Sequence, residues 1–124
     1  MASLSDIRSR LLELHKALVD AEREDHERAH GRMTDRAFLD ALIKDPAFAW
    51  LGALTALIVR IDELQDGDNA PAELPKDYVA EIRELLKPSA SGSEFQRKYE
   101  RVLQRSPHAV VAHGAVVSSV SGSA

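Results

Sequence analysis

The sequence predicts an all-α protein: a small helical bundle of four main helices, plus a short second helix and a short C-terminal helix or turn. Three observations predict it. Apolar residues recur at three- and four-residue intervals, beginning with Leu4, Ile7, Leu11, Leu14 and Leu18. Leu and Ala, which lose little side-chain freedom in a helix, dominate a composition with only 5% aromatics. The periodic stretches are also punctuated by capping residues, glycines and prolines.

The first helix begins at Ser3 or Ser5. Ser3 and Asp6 have the spacing of a capping box, with Asp in place of the longer Glu. Leu12 and Val19 widen its apolar stripe, Glu24 and Arg28 form a favourable i,i+4 pair, and Gly31 supplies the stop. Thr34 then caps a short second helix, with Met33 placed to staple onto Phe38. Its apolar residues Phe38, Leu39, Leu42 and Ile43 are expected to face inward.

Asp45-Pro46 is the sharpest punctuation in the chain, because proline breaks a continuing helix but suits the first turn of a new one. The third helix is expected from Pro46 to about Gln65. Trp50, Leu51, Leu54, Leu57, Ile58, Ile61 and Leu64 form one face, with Phe48 and Val59 apolar on the other side. A helix apolar on two sides is expected at the centre. After the polar loop Asp66–Pro71, Pro75 opens a fourth helix carrying Tyr78, Val79, Ile82, Leu85 and Leu86, ended by Pro88. Ser93 and Gln96 make a capping box for the fifth, with Phe95, Tyr99, Val102 and Leu103 inward. Ser106-Pro107 favours a short helix over residues 108–117, although the paired valines there raise strand propensity. One domain is expected over residues 1–117, with a flexible tail from 118 to 124.

At 124 residues the chain can bury roughly two thirds of its unfolded surface as one domain. It contains no Cys, which excludes disulfides, thiol chemistry and cysteine-ligated metal. A net charge of −4 argues against a protein built to neutralise phosphates. The N-terminal segment lacks a basic stretch followed by an apolar one, and no apolar run is long enough to span a bilayer. The expectation is a cytoplasmic protein without a membrane role.

Four residues of the first helix invite a chemical reading. At 100° per residue His15, Glu22 and His26 share the sector of Leu4 and Leu11, with His30 at its edge. Imidazoles and a carboxylate one turn apart suit zinc or iron in a bundle core, and a lone histidine on an apolar face can bind haem. The competing explanation is that the apolar stripe ends near Val19 and the rest is a solvated helix end. The Glu-x-x-His pairs that di-iron bundles place on several helices are absent. His108 and His113 could join the set only where the two helix ends meet. Asp62, Asp66, Gly67 and Glu73 fall at calcium-loop positions, but Leu64 stands where a ligand is needed.

Arg97, Lys98, Arg101 and Arg105 on the fifth helix form a basic edge, diluted by Glu94 and Glu100. Nucleic acid is therefore not the expected partner. Nucleophile-elbow, Walker and dinucleotide signatures are missing. The leading expectation is a non-enzymatic protein-interaction module without a cofactor, binding a protein partner or a second copy of itself as a homodimer. Phe48, Trp50 and Val59 are its candidate interface residues, because aromatic side chains often anchor interfaces. The alternative is a bundle that binds zinc, iron or haem through His15, Glu22, His26 and His30.

Overall fold

The computed structural model describes residues 3–121. Among the described residues there are six α-helices: α1 (Leu4–His30), α2 (Asp35–Lys44), α3 (Gly52–Asp66), α4 (Lys76–Leu85), α5 (Glu94–Arg105) and α6 (Pro107–Ser121). A six-residue 3-10 helix, Pro46–Leu51, leads into α3. The third helix expected from the sequence is thus two pieces, a tight turn followed by α-helix.

Local chemistry fixes most boundaries. Ser3 Oγ accepts from the Asp6 amide at 3.0 Å and starts α1. Gly31, at φ +91°, ends it, a conformation that a Cβ would strain. Thr34 Oγ1 caps α2 through the Ala37 amide. Asp45 accepts from the Ala47 amide at 2.9 Å, and between α2 and the Pro46–Asp66 stretch the chain bends by 76°. Ser93 and Gln96 form the reciprocal capping box at the start of α5.

The residues after Ser106-Pro107 are helix, not strand. Ser106 Oγ caps the Ala109 amide at 3.2 Å, and α6 buries Ala109, Val116 and Val120. That burial outweighs the strand preference of its valines. The helix also runs beyond Val117, where a flexible tail was expected, to Ser121, with Val120 fully buried. Residues 122–124 of that expected tail lie outside the described residues.

The long α1 is the axis of the fold. Its stripe Leu4, Ile7, Leu11, Leu14 and Leu18 is buried in a core shared with Leu54, Leu57 and Ile61 of α3, Ile82 of α4, Tyr99 and Val102 of α5, and α6. Helix α3 lies along one flank of α1. Arg8 pairs with Asp62, and His15 Nε2 meets Thr55 Oγ1 at 3.0 Å, so the two helices run antiparallel. Helix α6 lies on another flank, also antiparallel: Arg10 donates to the Ala115 carbonyl at 2.8 Å, while the α1 segment at Ala21 meets the start of α6.

Two inward assignments are corrected. Phe38 is buried, but Leu39 and Ile43 on the same helix are 58% and 82% exposed. Helix α2 is short and packs mainly through one side onto the 3-10 turn, so among the described residues nothing covers Leu39 and Ile43. Val59 of α3 is also half exposed. No single helix among the described residues is long and apolar enough to cross a membrane.

Candidate functional site

The first-helix residues singled out from the sequence do share one side of α1, but they do not converge. His15, half-buried, is committed to Thr55. Burial pushes its pKa below the ordinary histidine value, because a charged imidazole is poorly solvated there. Two turns further on, Glu22 accepts from the Trp50 indole Nε1 at 3.2 Å and from Arg105 at 2.6 Å. One carboxylate therefore ties α1 to the 3-10 turn and to α5. His26 packs against Phe48, ring centroids 5.3 Å apart, and against His30 at 4.6 Å. Among the described residues no group of three or more His, Asp or Glu side chains is placed to hold a metal ion.

A second polar network closes the turn between α1 and α2. Arg23 reaches Asp35 and the Met33 carbonyl, both at 2.9 Å, and lies over the Phe38 ring. Glu27 accepts from the Met33 amide at 2.9 Å and from Arg23. The Met33 bond holds the Glu27 carboxyl below its usual range, with Arg23 adding to the effect. Its bonds tie the end of α1 to the start of α2 and so hold the turn.

The calcium-loop positions are used otherwise too. Asp62 pairs with Arg8, and α3 runs through Asp66. The basic edge is thinner than its sequence spacing suggests, since Arg105 turns to Glu22 while Arg97 and Arg101 point to solvent. His108 shares a crevice with Ala21, Glu24, Asp25 and Arg28 of α1, not with His15, Glu22 and His26.

The proposed interface anchors Phe48 and Trp50 are 3% and 4% exposed. Phe48 meets Phe38 edge-on at 5.6 Å, and Trp50 packs on Phe95, which stacks on Tyr99. They anchor the monomer's own core. On the second apolar side of the third helix Phe48 is covered within the chain, while Val59 is exposed. Leu12 lies in sequence between Arg8 and His15, and Val59 between Thr55 and Asp62, the residues of the two polar pairs that join α1 and α3, and both are partly exposed.

Two features escaped the sequence reading. The first is a pair at the edge of the core: Oη of the buried Tyr99 lies 2.6 Å from Nδ1 of the half-buried His113. Tyr99 is fully buried, which pushes its pKa up, and burial also pushes the pKa of His113 down, so the two are neutral together. The second is the outer face of α6. This helix carries no Asp, Glu, Lys or Arg. Its solvent side nevertheless exposes Val111 (74%), Val110 (48%) and Val117 (39%) around Gly114, where an added Cβ would meet nothing. Charged side chains of neighbouring helices hold α6 at its carbonyls: Arg10 at Ala115 and Arg83 at Val120, 2.7 Å. The signal was present in the sequence as a charge-free stretch of residues 106–124.

No protein-family model matches this chain, and no similar curated protein or matching solved structure was found.

Proposed function

We propose that this protein is a non-enzymatic helical interaction module that associates with a second copy of itself through the outer face of α6. The observation that carries the reading is the uncharged, valine-rich exposure centred on Gly114. A surface helix normally carries charge on its solvent side, and an apolar exposed side marks a surface that something covers.

A second copy suits that surface for two reasons. The exposed apolar positions are arranged nearly symmetrically about Gly114, with Val110 and Val111 on one side and Val117 on the other. An antiparallel crossing at Gly114 therefore sets the Val110–Val111 end of one helix over the Val117 end of the other, as a two-fold interface requires. Glycine at the crossing also lets two helix backbones approach closely, and valines on either side supply the apolar contact. Helix α6 itself brings no ion into the contact, and the charges beside Val111, Glu13, Lys16 and Asp20 of α1, stand at its rim.

Sedimentation velocity across a wide concentration range tests this reading. The wild type is expected to move from monomer to dimer, and Val111→Asp to stay monomeric with unchanged helix content. A wild type that stays monomeric throughout, or a Val111→Asp variant that still dimerises, would contradict it.

A further inference from the structure

The half-buried histidines divide into two kinds. His15 and His113 are each held by a hydroxyl, of Thr55 and of Tyr99. His26 is equally half-buried, yet among the described residues neither its ring nor that of His30 has a hydrogen-bond partner. The two imidazoles stand four positions apart on one side of α1, with ring centroids 4.6 Å apart. Phe48 lies against the His26 ring at 5.3 Å and restrains it, while His30 is exposed and can turn. A shielded imidazole without a protein partner is a polar group that something else must satisfy.

This is the spacing at which two histidines on one helix face ligate a single metal ion. Metal–nitrogen bonds of about 2.0–2.1 Å set the two ligating nitrogens roughly 3.3 Å apart, within reach of a rotation of the exposed His30 ring. Electrostatics favour a cation at this place. His30 is the last residue of α1, where the helix carbonyls carry partial negative charge. The nearby guanidinium groups are already answered, Arg23 by Glu27 and Asp35, Arg28 by Glu24 and Asp25, and Arg32 lies in the field of Glu27. We infer that His26 and His30 form a two-ligand site for a divalent transition-metal ion of the zinc or copper type, with water completing the coordination. His15 and Glu22 take no part, since Thr55 holds the first and Trp50 and Arg105 hold the second. The inference does not depend on self-association, because both ligands belong to one helix of one chain.

The test is a titration of the full, untagged chain with zinc chloride in a weakly alkaline, non-coordinating buffer, followed by the imidazole signals in two-dimensional NMR. The signals of His26 and His30 are expected to saturate together, with one midpoint, while those of His15 and His113 stay in place. His30→Gln, a change at an exposed position that leaves the core intact, should weaken binding about tenfold or more, because the second ligand no longer closes on an ion held by the first. His108→Gln should bind zinc as the wild type does. Copper(II) should displace zinc and calcium should not, since imidazole suits the former and oxygen ligands the latter. Absence of saturable shifts at His26 and His30 would overturn the proposal. So would zinc binding at wild-type strength in His30→Gln, or displacement of zinc by calcium, which would assign the ion to carboxylates such as Glu24 and Asp25.

Discussion

Glu22 Oε2 accepts the indole proton of Trp50 across 3.2 Å, joining residues 28 positions apart in the chain. The other oxygen of the same carboxylate holds Arg105, 83 positions away, so three separate elements meet on one side chain. With the carboxylate largely shielded and both of its oxygens used, removing it leaves an indole N–H and a guanidinium without their acceptor.

Glu22→Ala is therefore expected to cost about 1.5–3 kcal/mol, the range for hydrogen bonds to a charged group. Glu22→Gln keeps an acceptor for Trp50 and should lose less. Urea unfolding followed by the fluorescence of Trp50, the single tryptophan, reads both quantities, since its emission reports the indole's surroundings directly.

Phe48→Ala should destabilise the fold by about 3–5 kcal/mol, the usual cost of deleting a buried aromatic ring, because it unseats contacts to Phe38 and His26. Self-association measured where the variant is still folded should be unchanged, as Phe48 belongs to the core. Circular dichroism melts beside sedimentation separate the two effects.

The pH dependence follows from the two half-buried histidines. His15 and His113 both have folded pKa values below the ordinary 6.5, so the unfolded chain binds more protons than the folded one between those values. Stability should be full above about pH 7, fall as the pH drops through 6.5, and level off once it is below the folded values. A second loss, from Glu27 with its lowered pKa, comes only in the carboxylate range at more acidic pH. Thermal melts from pH 8 to 5 should show the first decline, and the double variant His15→Gln/His113→Gln should flatten it.

Tyr99→Phe removes the hydroxyl partner of His113 inside the core and should cost about 1–2 kcal/mol. It should also release the ring of His113, so that its two-dimensional NMR signals broaden or double. A variant as stable as the wild type would mean that the pair contributes nothing to folding.

Helix boundaries were legible because they are decided by neighbours in sequence. Ser3, Thr34, Asp45 and Ser93 each cap amides two or three residues away, and Pro46 and Pro107 open helical turns where proline is tolerated. Burial was less legible. Periodicity identifies the apolar rows of a helix but not how many neighbours cover them, so it places Leu39 and Ile43 inward, where they are exposed, and leaves Phe48 and Trp50 available as interface anchors, where they are buried. The roles of Glu22, Arg105 and His15 depend on partners on other helices, and a helical wheel drawn on α1 alone could not separate a shared ligand site from three unrelated contacts. The exposed face of α6 was within reach, since its freedom from charge is a property of the sequence. Its paired valines, read by local propensity alone, point to strand instead.

Gly114→Gln tests the central claim most directly. In the isolated chain the added side chain meets open space, and replacing a mid-helix glycine with a good helix former should raise monomer stability by about 0.5–1 kcal/mol. At the proposed crossing the same side chain keeps two α6 helices apart. Sedimentation velocity on this variant beside the wild type is therefore expected to give a more stable protein that has lost its dimer. Dimerisation of Gly114→Gln at wild-type strength, or a wild type that never leaves the monomer, would contradict association through α6.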